Sequence, residues 1–476
     1  MYIYSSYSSR NFKSIRLAHI YLKFVFKEME WILNVQVVLL ICIICRVVSS
    51  MHNCFLYSHD YRCKLGTKTP YRFIQNYDDS PLEYPGCEPR KIWLTLRHGT
   101  RYPGRKYISP MIEKLPKMQQ IILDNYETGK TDLTAEDADL FKNWTIIFIE
   151  DDMMKLAIEG ENEMIDLGER YQSRFPTLMP EIYDNKTYKF KYTATQRTEE
   201  SARNFATGLF GRYHSHKVQY PEAEHGDPVL RFYKRCQRWH SEVKENPDAI
   251  IEKDKFLNSQ IYKKLLQDVS KRIGYQIDHE IVRLMYLMCG FETSWGRNIE
   301  SPWCKIFSMH DFKVLEFADD LEYYWMDGYG YKLTYEQACP ALRDLFQFFT
   351  LPEGPLVTAY FTHSGTILKL LALLGVAKDD RPLTHDLFSL YADNRAWRTG
   401  FIDAFASNIA FVLYNCSGVP SVLFMHQERP LYLPGCPIGV PCRLSTMKAL
   451  YPDQKEECPF EEMCSLEASS SNDSES

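Results

Sequence analysis

The chain has 476 residues, of which 45% are hydrophobic, and it carries a formal net charge of −6. A chain of this length and composition can bury a full hydrophobic core, which excludes an intrinsically disordered protein. The mild negative charge gives no reason to expect a nucleic acid as partner. If the ligand is anionic, the positive charge that binds it must therefore be local.

The first 50 residues predict export. Residues 31–45 (WILNVQVVLLICIIC) form an apolar run of signal-peptide length that is short for a membrane-spanning helix. We expect cleavage after Ser50, so that residues 1–50 are the signal peptide, with Met29 as an alternative start. A retained signal anchor is the alternative interpretation. After cleavage we expect no stable membrane span.

Cysteine usage also indicates the secretory pathway. Of the 14 cysteines, Cys42 and Cys45 lie in the apolar run and 12 follow it. An even number in an oxidising compartment can pair completely. Because the only C-x-x-C lies inside the apolar run, we expect no structural metal site. We expect a secreted, extracellular-surface or endoplasmic reticulum protein, and the possible glycosylation sites are Asn143, Asn185, Asn415 and Asn472.

Three predicted strands each lead into a basic residue. A buried strand at 91–96 is followed by Arg97 and His98, a strand at 188–195 by Arg197, and a strand at 356–362 by His363. In an open α/β sheet, ligands bind outside the carboxyl ends of the strands. We therefore expect these side chains to share one sheet edge.

The rest of the chain predicts helices and a hairpin. We predict mostly helical insertions at 108–185 and 231–350, and a β-hairpin from strands at 404–414 and 421–425. The α/β core then comprises residues 51–107, 186–230 and 351–445, followed by a polar tail at 446–476. One domain with a large insertion fits this pattern as well as two domains do.

The basic residues suit phosphoryl transfer, which needs a nucleophile, cations around the phosphate and a proton for the leaving group. Arginine donates two parallel hydrogen bonds to phosphate, which suits Arg97, Arg101 and Arg197 to that role. His98 is the predicted nucleophile, and His363 a second imidazole that donates to the phosphate. A single such residue is usually structural, but R-H-G-x-R directly behind a buried strand is rare by chance.

These motifs resemble those of the histidine acid phosphatase family, and within it the multiple inositol polyphosphate phosphatases. The resemblance rests on RHGTRYP at 97–103, on Arg197-Thr198 before a helix with Ser-Ala-x-x-Phe, on the late strand that ends at His363, and on residues 301–330. It implies a phosphoglycerate mutase-like α/β core with a mostly helical second domain. It also implies a phosphohistidine mechanism without metal or other cofactor, and small phosphorylated substrates, namely inositol polyphosphates such as inositol hexakisphosphate, with 2,3-bisphosphoglycerate as another.

The resemblance assigns His98 as the nucleophile and places the other four residues, Arg97, Arg101, Arg197 and His363, around the phosphate. The sequence departs from the family at the general acid. Family members carry His-Asp or His-Ala-Glu at the late histidine, whereas this chain has His363-Ser364-Gly365. Loss of a general acid slows turnover without abolishing it.

Charged residues near the motifs suggest further roles. Glu199 and Glu200 are candidate replacement acids, and Arg105 and Lys106 are candidates to hold neighbouring phosphates, although solvated loop charges fit equally well. Two alternative functions stay open: a weak or inactive relative that binds polyphosphates, and a broad-specificity acid phosphatase. The sequence does not predict an oligomeric state.

Overall fold

The computed structural model describes residues 53–55, 59–451 and 458–466. The predicted signal peptide at 1–50 lies outside the described residues, as do residues 452–457 and 467–476 of the predicted tail. The elements named here belong to the larger of two compact units, Tyr57–Ser476. Within the described ranges, no helix is long and apolar enough to cross a membrane.

A single mixed sheet organises this unit. Its strands, in chain order, are β1 Cys87–Arg97, β2 Tyr188–Tyr192, β3 Val357–Thr362, β4 Asn408–Cys416, β5 Val419–His426, β6 Arg429–Pro430 and β7 Cys442–Arg443. The order is β2-β3-β1-β4-β5-β6, and β7 pairs with β5. Strands β2, β3 and β1 are parallel, with Arg97 opposite Thr362, whereas β4 is antiparallel to β1. The carboxyl ends of three strands therefore meet at one edge.

The five predicted strands are present, with shifted ends. Strand β1 begins at Cys87 rather than at 91, because its pairing with β4 continues to Cys416. Strand β2 ends at Tyr192 rather than at 195, because the chain turns there and Thr195 caps the next helix. Strand β4 begins at Asn408 rather than at 404, because residues 404–407 form a turn.

Helices fill the long connections between strands. The longer ones are α1 Arg105–Glu127, α2 Ala135–Asn143, α3 Ile158–Arg174, α4 Gln196–Ser215, α5 Ile251–Leu257, α6 Gln260–Ile273, α7 His279–Trp295, α8 Met309–Asp327, α9 Cys339–Thr350, α10 Ser364–Leu373 and α11 Leu444–Leu450. Shorter helices are Gln237–Trp239, Pro302–Lys305, Lys332–Glu336, Phe388–Tyr391, Thr399–Ile402, Phe460–Cys464 and the π-helical turn His240–Lys244. Short 3-10 turns are Tyr61–Cys63, Gly66–Lys68, Tyr71–Phe73, Glu150–Asp152, Phe232–Lys234, Pro247–Ile250 and His385–Leu387. The predicted α/β class with extensive helix is confirmed.

Close packing of α3 against α4 fixes the start of α4 beside the sheet edge. A Cβ on Gly208 would lie 2.2 Å from the carbonyl oxygen of Ile165, and one on Gly168 would lie 2.6 Å from that of Phe205. Only glycine permits the two backbones to approach this closely. The first turn of α4, which contains Arg197, is thereby held in place.

Disulfides join distant parts of the chain, as the cysteine count predicts. Among the described residues, twelve cysteines are disulfide-bonded, Cys54 and Cys63 included, and five of the bonds are Cys87–Cys416, Cys236–Cys464, Cys289–Cys304, Cys339–Cys458 and Cys436–Cys442. Two of these bonds attach residues 458–464 to the helical region. The first bond joins paired residues of β1 and β4, and so secures the strand that leads to His98.

Candidate active site

The three parallel strands bring the predicted site residues together. Arg97 ends β1, His98 comes next, and the His98 amide donates to the carbonyl of Thr362 at 3.0 Å. His363 comes directly after β3, and the centroids of the two imidazole rings are 5.7 Å apart. Arg197, in the first turn of α4, lies 3.2 Å from His363 (Nη2 to Nδ1). The fold therefore brings together four residues from three segments that are far apart in sequence.

The loop after His98 is fixed by close contact with α3. A Cβ on Gly99 would lie 2.4 Å from the carbonyl oxygen of Gly160, so only glycine fits at both positions. The Glu163 carboxylate accepts hydrogen bonds from the amide of Thr100 at 2.7 Å and from its hydroxyl at 3.0 Å. Burial raises the pKa of Glu163 to about 7, against these hydrogen bonds. This contact positions the R-H-G-x-R loop.

One hydrogen bond and the surrounding charges determine the protonation state of His98. Its Nδ1 lies 2.8 Å from the carbonyl oxygen of Gly99, which can only accept, so Nδ1 carries the proton and Nε2 keeps a free lone pair. Burial lowers the pKa of His98 well below its usual value, and Arg197, Arg97 and Arg101 lower it further. The ring therefore stays neutral at physiological pH, as nucleophilic attack requires.

Both ring nitrogens of His363 have partners inside the site. Its Nδ1 accepts from Arg197, so Nε2 carries the proton and donates to the hydroxyl of Thr193 at 2.9 Å. Burial lowers the pKa of His363, as do the nearby arginines, with Arg197 the foremost of them. The predicted donation from this ring to phosphate thus requires a change of hydrogen bonding when an anion binds.

A cluster of arginines surrounds the two histidines. Among the described residues, the arginines that bury an Nε atom without a hydrogen-bond partner are Arg97, Arg101, Arg197 and Arg231. Burial and mutual repulsion lower the pKa of Arg101 to about 9, and burial together with Arg231 lowers that of Arg197 to about 10. Buried donors are normally satisfied, and these unpartnered guanidinium groups can donate hydrogen bonds to a multiply charged anion.

Sequence reasoning missed Arg231 and Lys68. The Arg231 amide donates to the carbonyl of Asp227 at 2.9 Å, and the preceding carbonyl, of Leu230, accepts from Thr362 at the end of β3. Lys68 is buried, and burial lowers its pKa to about 7, with Arg101 and Arg97 acting in the same direction. Neither residue belongs to a local motif, so only the folded chain reveals them.

The remaining predicted residues lie apart from this cluster. Arg105 and Lys106 are exposed in the first turn of α1, and Lys106 lines a cavity with Lys253 and Arg283. Glu199 pairs with Arg203 at 2.7 Å. Within the described ranges, neither Glu199 nor its neighbour Glu200 hydrogen-bonds to His98 or His363.

Comparisons with known proteins agree with this geometry. The family model for the histidine phosphatase superfamily (branch 2) matches residues 92–429. Multiple inositol polyphosphate phosphatase 1 of Drosophila melanogaster is 32% identical, and the alignment covers 82% of this chain and 84% of that protein. The protein of the same name from Homo sapiens is 27% identical, and the alignment covers 86% of this chain and 90% of that protein.

Solved structures show the same fold. The phytase from D. castellii aligns with a TM-score of 0.69 at 17% identity, covering 85% of this chain and 88% of its own. The multiple inositol polyphosphate phosphatase of Bifidobacterium longum, in complex with inositol hexasulfate, aligns with a TM-score of 0.64 at 16% identity. The alignment covers 82% of this chain and 98% of that protein. The chain therefore belongs to branch 2 of the histidine phosphatase superfamily and is a histidine-type phosphatase.

Proposed function

We propose that this chain removes phosphate groups from inositol polyphosphates through a phosphohistidine at His98. The observation that carries the proposal is the arginine cluster with its unpartnered, buried Nε atoms around a neutral His98. Such donors stabilise the charge on the nonbridging oxygens of a phosphoryl group in transfer.

The first chemical step depends on the hydrogen bonding of His98. Its Nε2 lone pair attacks phosphorus, the bond from phosphorus to the ester oxygen breaks, and Nδ1 shares the positive charge that develops on the ring with the carbonyl of Gly99. Water then attacks the phosphohistidine and releases inorganic phosphate. A bound phosphate raises the pKa of His363, which then takes up a proton at Nδ1 and donates to the anion.

The substrate class comes from the named relatives together with the charge of the site. Relatives that are 32% and 27% identical carry the name multiple inositol polyphosphate phosphatase 1. Lys68, whose pKa is about 7, takes up a proton when an anion binds nearby and so adds a cation beside Arg97 and Arg101. We propose that the exposed Arg105 and Lys106, which lie outside the arginine cluster, contact further phosphates of a ligand that extends beyond it. We include 2,3-bisphosphoglycerate among the substrates.

We further propose that the protein acts in the secretory pathway or outside the cell. The support is that twelve cysteines among the described residues are disulfide-bonded, since such bonds persist in oxidising compartments. In secretory cells the protein should resist thiol alkylation until it is reduced. Freely reactive cysteines in the native protein would contradict this assignment.

The test is a substrate panel with purified protein. We expect phosphate release from inositol hexakisphosphate and from 2,3-bisphosphoglycerate, and loss of this activity in His98→Ala. His216→Ala is the matched control, since His216 is exposed on the surface. A preference for small monoesters would favour the broad acid phosphatase. Tight binding of inositol hexakisphosphate without turnover would favour the inactive relative.

A further inference from the structure

Departure of an inositol alkoxide needs a proton, and the cations around the phosphate, the protonated His363 among them, donate to its nonbridging oxygens. The Nδ1 proton of His98 is committed to Gly99, and the Nε2 proton of His363 is committed to Thr193. Guanidinium groups keep their protons. A further donor is therefore needed, and this requirement rests on the proposed function.

The residue after His363 contacts a buried carboxyl group. Ser364 is the first residue of α10 and is partly exposed, and a short hydrogen bond joins its Oγ to Oδ2 of Asp403. Asp403 is fully buried, and its Oδ1 is among the buried polar atoms that have no hydrogen-bond partner in the described part of the chain. A carboxyl group with an unused oxygen thus lies behind a hydroxyl at the edge of the active site.

Charged groups on three other segments face Asp403. Nη1 of Arg97 lies 3.6 Å from Oδ2, Lys68 approaches from the 3-10 turn Gly66–Lys68, and Asp327 from the end of α8. Burial raises the pKa of Asp403 to about 6, with Asp327 adding to the rise and Arg97, Ser364 and Lys68 opposing it. A substantial fraction of this carboxyl group is therefore protonated in mildly acidic solution.

We propose that Ser364 and Asp403 form a proton relay in which the Ser364 hydroxyl donates to the leaving oxygen and Asp403 replaces that proton. Ser364 is then the catalytic residue that contacts the substrate. Asp403 acts through it and is a positioning residue. The relay takes the place of the carboxyl group that is missing from His363-Ser364-Gly365.

The proton balance closes over the two chemical steps. As the phosphorus–oxygen bond breaks, the Ser364 proton goes to the departing alkoxide and the Asp403 proton to Ser364 Oγ, leaving Asp403 ionised and His98 phosphorylated. In the second step the attacking water gives a proton to Ser364, and Ser364 passes one to Asp403. The products are the alcohol and inorganic phosphate, and both residues return to their starting state.

Other nearby carboxyl groups are less suited to this role. Asp327 Oδ1 would lie 3.3 Å from a Cβ at Gly365, but Asp327 forms an ion pair with the buried Lys369. Glu163 accepts from Thr100 and from the amide of Tyr71 and so serves the loop. Glu199 is paired with Arg203.

The experiment compares an alkyl ester with an aryl ester, because only the alkyl leaving group needs protonation. Ser364→Ala, Asp403→Asn and the double variant are assayed with inositol hexakisphosphate and nitrophenyl phosphate. We expect each variant to lose about 10²-fold in kcat on the alkyl ester and to change less than about threefold on the aryl ester. The double variant should match the single variants, because both residues serve one relay.

A pH profile separates a relay from a structural role. In the parent protein the alkyl-to-aryl ratio of kcat should fall as pH rises above about 6, where Asp403 loses its proton. In Asp403→Asn this ratio should be low and independent of pH. If Asp403 only holds Arg97 in place, Asp403→Asn should lower both activities together and leave the pH dependence of the alkyl-to-aryl ratio unchanged.

Asp327→Asn is the matched control, because Asp327 is the rival carboxyl group. The relay would be overturned if Asp327→Asn lost activity selectively on the alkyl ester. It would also be overturned if the Ser364 and Asp403 variants lost activity equally on both esters, or lost none. Each of these results leaves the proposed function intact. That function fails instead if the parent protein cleaves neither ester.

Discussion

Two buried arginine clusters in this molecule differ in what surrounds them. In the cluster that contains Arg395 and Arg398, every arginine has a carboxylate: Arg395 donates to Asp320 at 2.8 Å, and Arg398 to Glu316 at 2.9 Å. At the active site, Arg97 alone has a carboxylate within 4 Å in the described structure, and the Nε atoms of the cluster have no partner. The pKa of Arg395 is raised by Asp320 and Glu316 against burial, whereas that of Arg101 is lowered.

The contrast distinguishes a structural use of arginine from a ligand-binding one. A buried ion pair satisfies its charges within the fold, so removing one partner leaves an uncompensated charge. A buried cation without a partner destabilises the fold until an anion arrives, and it provides binding energy at that moment. The same substitution should therefore have opposite consequences in the two clusters.

The largest expected effect is on stability, in the cluster that has its carboxylates. Arg395→Met should lower the free energy of unfolding by about 3–5 kcal/mol, because the buried Asp320 loses its arginine and Glu316 keeps only Arg398. Chemical denaturation measures this loss. Arg235→Met is the control, since the ion pair of Arg235 with Glu461 is exposed and should cost less than about 1 kcal/mol. Equal losses in the two variants would break the comparison.

The next effect is on activity, at the active site. Arg101→Met should lower kcat/KM by about 10²–10³-fold, because a donor to the transferring phosphoryl group is lost. Its free energy of unfolding should stay the same or rise, because Arg97 and Arg197 repel Arg101 in the folded protein. Steady-state kinetics and denaturation of one preparation give both numbers. A fall in stability like that of Arg395→Met would show that Arg101 is structural.

A third prediction concerns inorganic phosphate. At 100 times its dissociation constant, phosphate should stabilise the parent protein by about 2.7 kcal/mol. Phosphate should stabilise Arg395→Met by the same amount, compared with that variant without phosphate. It should stabilise Arg101→Met much less. Thermal denaturation across a phosphate titration tests this. Equal gains in the two variants would place the phosphate elsewhere.

The smallest effect is a pH dependence of stability. The pKa values of His98 and His363 lie below 6.5 in the folded protein, so below pH 6.5 the unfolded chain binds protons that the folded one does not. Stability should therefore fall as pH drops below 6.5, by up to about 1.4 kcal/mol per histidine per pH unit. His363→Asn should show a shallower slope than the parent by denaturation at pH 5.5 and 7.5. An unchanged slope would show that His363 is protonated in the folded protein.

Local patterns predict the part of the site that depends on strand ends. The alternation and burial of residues before Arg97, Arg197 and His363 identify strands, and parallel pairing then places their ends together. The predicted ends of β2 and β4 are wrong by three or four residues, because turns at 193–195 and 404–407 have apolar or β-branched residues that resemble strand.

Other parts of the site depend on long-range contacts. Arg231 lies in the cluster because the carbonyl of Leu230 accepts hydrogen bonds from Thr362 and Thr366. Lys68 lies there because Arg97 donates a hydrogen bond to the carbonyl of the residue before it, in the turn Gly66–Lys68. Asp403 lies 39 residues after Ser364 in the chain and meets it through folding alone. No spacing rule in a single sequence predicts such contacts.

The most direct test of the phosphohistidine mechanism is to trap the covalent intermediate. Protein mixed with labelled inositol hexakisphosphate and quenched rapidly should carry acid-labile label on one histidine, which peptide mapping should identify as His98, and His98→Ala should carry none. Label on another residue, or full turnover by His98→Ala, would contradict the assignment of His98 as the nucleophile.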